Sequence, residues 1–270
     1  MPRQVTAFSN ATVKRLRSLR DKKHRRAEGL FLAEGLRILA EARDSGRLPE
    51  IVAFSAEGAA HPLAAEIIAA TEAAGGEAIE TTPDILAKMS GKDNPQLLLG
   101  AFRQPDASLG RIDRGKAPLW IVAQALRDPG NLGTILRTGD AAGAGGLILI
   151  DDCADPFSVE AVRASMGALF TQDVAAARWA EFVAWLRSGE GQLVGTSLTA
   201  TQDYLEADYR QPCFLLIGNE QQGLPADYEA ECDRLVKIPM AGRADSLNAA
   251  MATAVIAFAI TASWRGRSGT

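Results

Sequence analysis

Three polar segments, each following a run of apolar residues, hold the side chains of this chain that could do chemistry. The first is residues 128–134 (Asp-Pro-Gly-Asn-Leu-Gly-Thr), with Arg137 close behind. The second is residues 218–225 (Gly-Asn-Glu-Gln-Gln-Gly-Leu-Pro), and the third is residues 238–248 (Ile-Pro-Met-Ala-Gly-Arg-Ala-Asp-Ser-Leu-Asn). Amide, carboxylate and guanidinium groups orient substrates, and glycine lets a backbone approach a ligand closely. Each segment alone could be only a helix cap or a tight turn, but together they indicate a ligand site.

The third segment joins an apolar strand to a long helix. Residues 235–238 form a β-branched run that ends at Pro239, and Ser246 is predicted to be the N-cap of the helix that follows. That helix, residues 249–264, is rich in small apolar residues and is too short to span a membrane. We therefore expect a core or interface helix whose free N–H groups help to form the site.

The second half of the chain alternates apolar strands with helices, which is typical of a parallel sheet covered by helices on both faces. Such sheets bind ligands beyond the carboxyl ends of their strands, where the three polar segments fall. Strands are predicted at 119–123, 147–150, 174–177, 193–196, 214–217 and 235–238, and helices at 131–144, 158–170, 180–187 and 225–232.

The first hundred residues alternate in the same way and predict a separate, small α/β domain. Its strands are expected at 31–33, 50–55, 77–81 and 97–102, and its helices at 10–24, 35–45, 62–74 and 83–90. Residues 104–118 lack apolar periodicity and are broken by proline and glycine, so they are predicted to be a linker. The expected domains are therefore 1–103 and 119–270.

The charge of the chain is strongly asymmetric. Its 270 residues carry a net charge of −4, but residues 1–30 hold nine Lys or Arg against two acidic residues, a net +7. The other 240 residues hold 20 basic and 31 acidic residues, a net −11. A basic block on an acidic protein indicates a phosphate-bearing partner, although a solvated helix face is the simpler alternative.

Several classes of site are excluded by composition. Two histidines and three widely spaced cysteines leave no Cys/His metal cluster, no Ser/His/Asp set and no disulfide framework, so we expect no metal and reduced cysteines. No apolar segment follows the basic N-terminus, so we expect no secretory signal and a cytoplasmic protein. A dinucleotide enzyme stays open as an alternative. Gly130 and Gly133 keep only part of the Gly-x-Gly-x-x-Gly pattern of such enzymes. Asp151 and Asp152 stand about twenty residues further on, where a dinucleotide enzyme has an acidic residue that binds the ribose.

Taken together, the three segments resemble the motifs of the SpoU (TrmH-like) RNA ribose 2′-O-methyltransferases of the SPOUT superfamily. The motifs read Asn-x-Gly-x-x-x-Arg-Thr at 131–138, Ile-Gly-Asn-Glu-x-x-Gly-Leu at 217–224 and Ile-Pro-Met-x-Gly-x-x-x-Ser-Leu-Asn at 238–248. The front of the chain, with Phe-Leu-Ala-Glu-Gly at 31–35, resembles the small L30e-like substrate-binding domain that many members carry. Two departures are Ala-Ala at 249–250, where the family usually has Val-Ser, and Gln-Ala-Leu-Arg at 124–127, where it often has an aspartate.

The resemblance implies a trefoil-knotted methyltransferase domain, S-adenosylmethionine as cofactor and a homodimer with sites at the interface. It implies transfer of a methyl group to a ribose 2′-OH. We interpret Arg137 as a group that fixes a phosphate and the hydroxyl, because a guanidinium hardly ever loses its proton. The implied catalytic residues are Asn131, Arg137, Glu220, Ser246 and Asn248. The implied cofactor-binding residues are Thr196, Ser197, Leu198, Ile217, Gly218, Asn219, Ile238, Met240 and Leu247.

The basic block gains weight as an RNA-binding surface once the family is considered. Ribosomal RNA is the expected substrate, because the front domain resembles that of ribosomal RNA enzymes. The alternatives are transfer RNA as substrate and a catalytically silent RNA-binding member. The expected RNA-binding residues are Lys14, Arg15, Arg17, Arg20, Lys22, Lys23, Arg25 and Arg26.

Overall fold

The computed structural model describes residues 2–267, and they form two compact units. The strands are β1 (Arg3–Val5), β2 (Leu30–Glu34), β3 (Ile51–Ser55), β4 (Glu77–Thr81), β5 (Leu98–Arg103), β6 (Leu119–Gln124), β7 (Ala144–Ile150), β8 (Asp173–Ala177), β9 (Gln192–Thr196), β10 (Gln202–Asp203), β11 (Cys213–Ile217) and β12 (Arg234–Lys237). The helices are α1 (Ala11–Ser18), α2 (Lys22–Glu28), α3 (Leu36–Asp44), α4 (Ala56–Ala60), α5 (Pro62–Ala73), α6 (Pro83–Ser90), α7 (Pro129–Ala142), α8 (Val159–Ser165), α9 (Trp179–Arg187), α10 (Ala226–Ala230) and α11 (Ala249–Arg267).

The first unit holds a five-stranded sheet in the order β1-β4-β3-β5-β2. The pairs β1–β4 and β4–β3 are parallel, while β3–β5 and β5–β2 are antiparallel. Its core is built from the buried faces of the strands together with α1 and α6. The predicted small α/β domain is therefore present, with β1 and α4 as elements that the sequence pattern did not predict. Both are short, at three and five residues, so no apolar periodicity develops in them.

The single helix predicted over 10–24 is wrong, because the chain forms two short helices there. Helix α1 ends at Ser18, and Asp21 then accepts a hydrogen bond from the backbone N–H of Lys23 at 2.7 Å and caps α2. An aspartate in this position satisfies a free N–H group and favours a new helix start over continuation of the old one. Leu19 to Asp21 thus form an elbow between α1 and α2.

Arg25 is buried inside the first unit, with 3% of its surface exposed. Its guanidinium lies 2.6 Å from the carboxylate of Asp155 and donates to the carbonyl oxygens of Leu19 and Arg20 at 2.9 and 2.7 Å. A buried guanidinium with all these bonds is a structural group. Arg25 is therefore not available to a phosphate, and the prediction that it contacts RNA is wrong.

Residues 155–171 pack with the first unit, although they lie within the span predicted for the second domain. They bring Phe157 and Phe170 against Phe31, with ring centroids 5.2 and 5.8 Å apart. The helix predicted over 158–170 ends at Ser165, because Met166 and Gly167 adopt left-handed backbone conformations with φ of 52° and 105°. Ala168–Phe170 continues as a 3₁₀ turn.

The second unit holds a seven-stranded sheet in the order β10-β12-β9-β11-β6-β7-β8. Every pair in it is parallel, as the apolar strands separated by helices predict. Trp120, Phe182 and Phe214 are fully buried in its core. Residues 106–118, predicted to be a linker, belong to this unit: Ile112 is buried, and the Arg114 guanidinium donates to carbonyl oxygens at the end of α9.

The described residues meet neither the requirements for a membrane-spanning helix nor those for a metal site of grouped side chains. Among residues 2–267, no helix has the length and apolarity needed to cross a membrane. Within the same residues, no three His, Cys, Asp or Glu side chains are grouped so as to hold a metal ion.

Arg25→Met should destabilise the first unit. The change leaves the Asp155 carboxylate, 13% exposed, and two backbone carbonyls without their donor. Loss of one partner of a buried ion pair costs about 3 kcal/mol or more. Urea unfolding should show this loss, whereas the matched change Arg26→Met, at an exposed neighbour, should alter the unfolding free energy by less than about 0.5 kcal/mol. Equal urea midpoints for the two variants would contradict the assignment of Arg25 as a buried structural group.

Candidate active site

The three polar segments meet at one edge of the seven-stranded sheet. Strand β11 lies between β6 and β9, and β12 pairs with β9. Because all four strands run parallel, their carboxyl ends lie at the same edge. The segments that follow β6, β11 and β12 therefore come together there, as the sequence predicts.

A cavity of 530 Å³ opens between these segments. Its volume is in the range of sites for small molecules and cofactors. All nine residues expected to bind a cofactor line it, and so do Glu220 and Ser246. Those nine are Thr196, Ser197, Leu198, Ile217, Gly218, Asn219, Ile238, Met240 and Leu247.

A chain of three side chains joins the three motifs beside the cavity. The Asn248 amide donates to Asn131 Oδ1 at 3.0 Å, and the Asn131 amide donates to Glu220 Oε1 at 3.3 Å. Glu220 also accepts from the backbone N–H of Arg127 at 3.5 Å. We refer to Asn248, Asn131 and Glu220 as the amide chain.

The amide chain has only one consistent direction. An ionised carboxylate accepts hydrogen bonds and donates none, so the Asn131 NH₂ must face Glu220. Asn131 Oδ1 then faces Asn248, whose NH₂ must donate to it. The Asn248 oxygen is left to accept from the backbone N–H groups of Ala250 and Met251, at 2.9 and 3.3 Å. The charge on Glu220 thus fixes the orientation of every group as far as the start of α11.

Helix α7 begins at Pro129, two residues before the predicted start, and α11 begins at Ala249 as predicted but with a different cap. Asp128 caps α7 by accepting from the Asn131 N–H at 2.6 Å, with Pro129 at the first helical position. This frees the Asn131 side chain for the amide chain. Asn248 caps α11, so the prediction that Ser246 is the N-cap is wrong. The Ser246 hydroxyl instead donates to Asp245 at 3.0 Å and lies on the cavity wall.

The loop after β11 is closed by Asn219. Its backbone exchanges hydrogen bonds with Gly223, and its side-chain oxygen accepts from Gln221 N at 2.9 Å. Its amide donates to the carbonyl of Ala125 at 2.8 Å, which holds Ala125 in a left-handed conformation with φ of 49°. Gly218 is required here for space, since a Cβ would lie 2.4 Å from the Gly223 backbone.

Arg137 stands apart from the amide chain. It is an exposed residue of α7, and its side chain forms no hydrogen bond or ion pair with any other residue within 2–267. The structure thus brings Asn131, Glu220 and Asn248 into contact and places Ser246 on the cavity wall. Arg137 is left with a guanidinium free to meet an external anion.

Three residues of α11 that the motifs did not predict also line the cavity. Ala249, Ala252 and Ile256 stand at positions i, i+3 and i+7, which is one face of a helix. Their apolar side chains at this spacing were the available signal. Glu229 and Lys237 also line the cavity, and their exposed charges gave no pattern by which to find them.

The aspartate that favoured a dinucleotide enzyme has another role. The Asp151 carboxylate accepts from the Trp179 N–H at 3.3 Å and from the Tyr228 hydroxyl at 2.8 Å. Burial, followed by this bond to Asp151, raises the pKa of Tyr228 to about 12, so the phenol remains a donor. Asp151 therefore anchors α9 and α10 in place of a ribose.

The cysteines offer no nucleophile at neutral pH. All three are free thiols, and burial raises the pKa of each, to about 12 for Cys213 and Cys232. The thiolate is the reactive form, and it is scarce when the pKa is high.

Comparison with known proteins gives matches over both units. The model of the SpoU rRNA Methylase family matches residues 118–258, and that of the MRM3-like substrate binding domain matches residues 10–100. A 23S rRNA (uridine(2479)-2′-O)-methyltransferase of Streptomyces viridochromogenes is 32% identical over 277 residues, 99% of this chain and 95% of the relative. The 23S rRNA (guanosine(2553)-2′-O)-methyltransferase RlmP of Bacillus subtilis is 28% identical, over 95% of this chain and 98% of its own.

A solved structure shares the whole fold. The crystal structure of an AdoMet-bound rRNA methyltransferase from Sinorhizobium meliloti superposes with a TM-score of 0.90 and 40% identity, over 97% of this chain and 98% of that chain. The predicted fold class, an α/β substrate-binding domain followed by a SPOUT methyltransferase domain with a parallel sheet, is confirmed. With its three motifs gathered at one cavity, this chain belongs to the SpoU rRNA Methylase family.

Proposed function

We propose that this protein transfers a methyl group from S-adenosylmethionine to a ribose 2′-OH of ribosomal RNA. The observation that carries the proposal is the single cavity at which all three motifs of the family meet. Membership of the family confirms the predicted enzyme class, an RNA 2′-O-methyltransferase, and its predicted cofactor. The named relatives from Streptomyces and Bacillus act on 23S rRNA, which supports ribosomal RNA over transfer RNA.

The cavity suits S-adenosylmethionine in shape and in charge. Two glycines, Gly218 and Gly223, form part of the cavity wall, where they expose backbone without a side chain. The wall carries both apolar and polar groups, as a ligand with a flat ring, hydroxyls and a charged tail requires. Glu220, Glu229 and Asp245 supply three carboxylates against the single cation Lys237, which favours a positively charged ligand.

The bound cofactor would supply an electrophilic methyl group on a sulfonium. The protein has to place a 2′-OH in line with that methyl group, and such placement supplies much of the acceleration of a displacement reaction. The amide chain holds the loops after β6, β11 and β12 at fixed distances from each other. The amide chain thereby holds this wall of the cavity in one arrangement.

Arg137 is assigned to the RNA side of the site. A guanidinium combines a positive charge with a planar fork of donors. That fork matches a phosphate oxygen and the neighbouring hydroxyl, and a phosphate oxygen or a water then accepts the hydroxyl proton. The lack of any internal partner for Arg137 within 2–267 supports this role.

The first unit is assigned to RNA binding. Seven of its eight predicted RNA-contacting residues are exposed, Arg25 being the exception, and the matching domain model is that of a substrate-binding domain. The likeness to the family also supports a trefoil knot in the second unit and a cytoplasmic site of action, both parts of this proposal. Transfer RNA as the substrate and a silent RNA-binding protein are the competing outcomes.

A homodimer through the last helix completes the proposal. Met251, Val255 and Phe258 stand at i, i+4 and i+7 of α11 and are 62%, 36% and 44% exposed. An exposed apolar stripe of this kind marks a protein contact. Symmetric pairing of α11 with a second copy would cover it.

The enzyme and Arg137 are tested together by methylation of RNA. Wild-type protein with radiolabelled S-adenosylmethionine should label ribosomal RNA at a ribose 2′-OH, mapped by resistance to alkaline cleavage. Arg137→Lys should lower kcat by about 10²-fold, because lysine keeps the charge but lacks the fork. Cofactor affinity, measured by calorimetry, should stay unchanged. Near-full turnover by Arg137→Lys would contradict the orienting role of Arg137. Radiolabel in transfer RNA alone would favour transfer RNA as the substrate, and no label in any RNA would favour a silent RNA-binding protein.

Asn248→Asp should separate the amide chain from the helix cap. The new carboxylate still caps α11, but it places an acceptor against Asn131 Oδ1 in place of a donor. An unmade bond of this kind costs the folded state about 1–3 kcal/mol, so the unfolding free energy should fall by no more than this amount. Turnover should fall by about 10- to 100-fold, because the loops are no longer held together. The matched control is Asn10→Asp, the same exchange at the cap of α1, which should leave turnover unchanged. Wild-type turnover by Asn248→Asp would contradict the role of the amide chain.

Phe258→Glu should convert the dimer into a monomer. It places a charge within the apolar stripe of α11, at its C-terminal residue, where burial against a second copy would be strongly unfavourable. Light scattering after size exclusion should show half the mass of the wild type. Leu205→Glu, a change at a residue 69% exposed outside α11, should leave the mass unchanged. A monomeric wild type, or a dimeric Phe258→Glu, would refute the proposed interface.

A further inference from the structure

Three cations of the first unit line one groove. Lys14, Arg17 and Arg20 surround a depression of 510 Å³, together with Ser18, Asp21 and His24. None of the three cations forms an ion pair with a carboxylate among residues 2–267. The Asp21 carboxylate, the acidic group of the groove, is already engaged by the Lys23 N–H.

The other cations of the basic block are placed differently. Arg3 pairs with Glu77 at 2.6 Å, Arg15 with Glu28 at 2.7 Å, and Arg25 with buried Asp155. Lys22, Lys23 and Arg26 are exposed on α2 but do not line the groove. The structure thus divides nine basic residues into three that are neutralised by partners, three that point to open solvent and three that converge.

The buried Arg25 side chain fixes the backbone on which the groove is built. Arg25 bonds the carbonyl oxygens of Leu19 and Arg20, so the elbow between α1 and α2 is pinned by a buried side chain. The guanidinium of Arg20 lies against Gly91, where a Cβ would come within 2.1 Å of Arg20 Cζ. Gly91 has φ of 75° and closes α6. A cation already held in place loses less side-chain entropy when it binds an anion.

We propose that this groove, lined by Lys14, Arg17 and Arg20, binds consecutive phosphates of the RNA backbone. Lys14 and Arg17 stand three residues apart on α1, so their Cβ atoms are about 5–6 Å apart, and Arg20 extends the row along the elbow. A row of separately placed cations suits a polyanion better than a single small phosphate. The proposal rests on the RNA-methylating function proposed above and narrows its RNA contact to the groove. Lys22, Lys23 and Arg26, which were predicted to contact RNA, lie outside the groove and are not assigned as contacts in this proposal.

Two variants with equal loss of charge test the groove. One carries Lys14→Gln, Arg17→Gln and Arg20→Gln, and the other carries Lys22→Gln, Lys23→Gln and Arg26→Gln. Binding of full-length protein to a fluorescent RNA hairpin is measured by anisotropy over a series of salt concentrations. Loss of three phosphate contacts should reduce the slope of log affinity against log salt by about 2 to 3 in the groove variant. The slope of the α2 variant should stay within about 1 of the wild type.

Each other result overturns the inference. Equal slopes for the two variants would mean that the block acts only through its total charge, and an unchanged slope in the groove variant would place the RNA elsewhere. Thermal unfolding of both variants and their affinity for S-adenosylmethionine show that the fold and the second unit are intact. If wild-type protein methylates RNA while the groove variant keeps the wild-type salt slope, RNA binding by the groove is refuted and the proposed function stands. If wild-type protein methylates no RNA, the proposed function fails.

Discussion

The second unit depends on the direction of its hydrogen bonds at the edge of the sheet. A carboxylate at Glu220 accepts and never donates, and the start of α11 offers N–H groups that must find an acceptor. The two amides between them are therefore held in one orientation, and both ends of the chain of bonds are satisfied. This constraint ties three loops that are far apart in sequence into one wall. A cavity of 530 Å³ is kept open beside it without any of these polar groups being left unpaired.

Much of this could be predicted from sequence because the relevant signals are local or periodic. Apolar runs such as 119–123 and 214–217 fall in strands of the parallel sheet, and the polar residues after them fall at its carboxyl edge. What could not be predicted is which of several capping residues takes each cap. Asp128 and Asn131 both favour a helix start, as do Ser246 and Asn248. Only the packing of the loops decides that Asp128 and Asn248 take the caps and that Asn131 and Ser246 face the site.

The basic block shows the same limit for charge. Counting residues gives a net +7 over 1–30 and treats all nine cations alike. The structure separates them, because a guanidinium in the interior must find acceptors for its N–H groups. Arg25 finds these acceptors in the Asp155 carboxylate and in the carbonyl oxygens of Leu19 and Arg20. Asp155 lies 130 residues away in sequence, so no local pattern could indicate this pair. The buried cation is nevertheless part of the RNA-binding design that we propose, since it shapes the elbow on which the exposed cations stand.

The departure from the family at 249–250 now has a physical setting. Ala249 is 7% exposed and lines the cavity, and Ala250 is 3% exposed with its N–H bonded to Asn248. A valine at 249 would add two methyl groups to the wall, so alanine leaves the cavity wider at this point. A serine at 250 would bury a hydroxyl that needs its own partner, and alanine removes this need while keeping a good helix former in the first turn. The cap by Asn248 depends only on backbone N–H groups at this point. The amide chain is therefore preserved across a change that reshapes the cavity beside it.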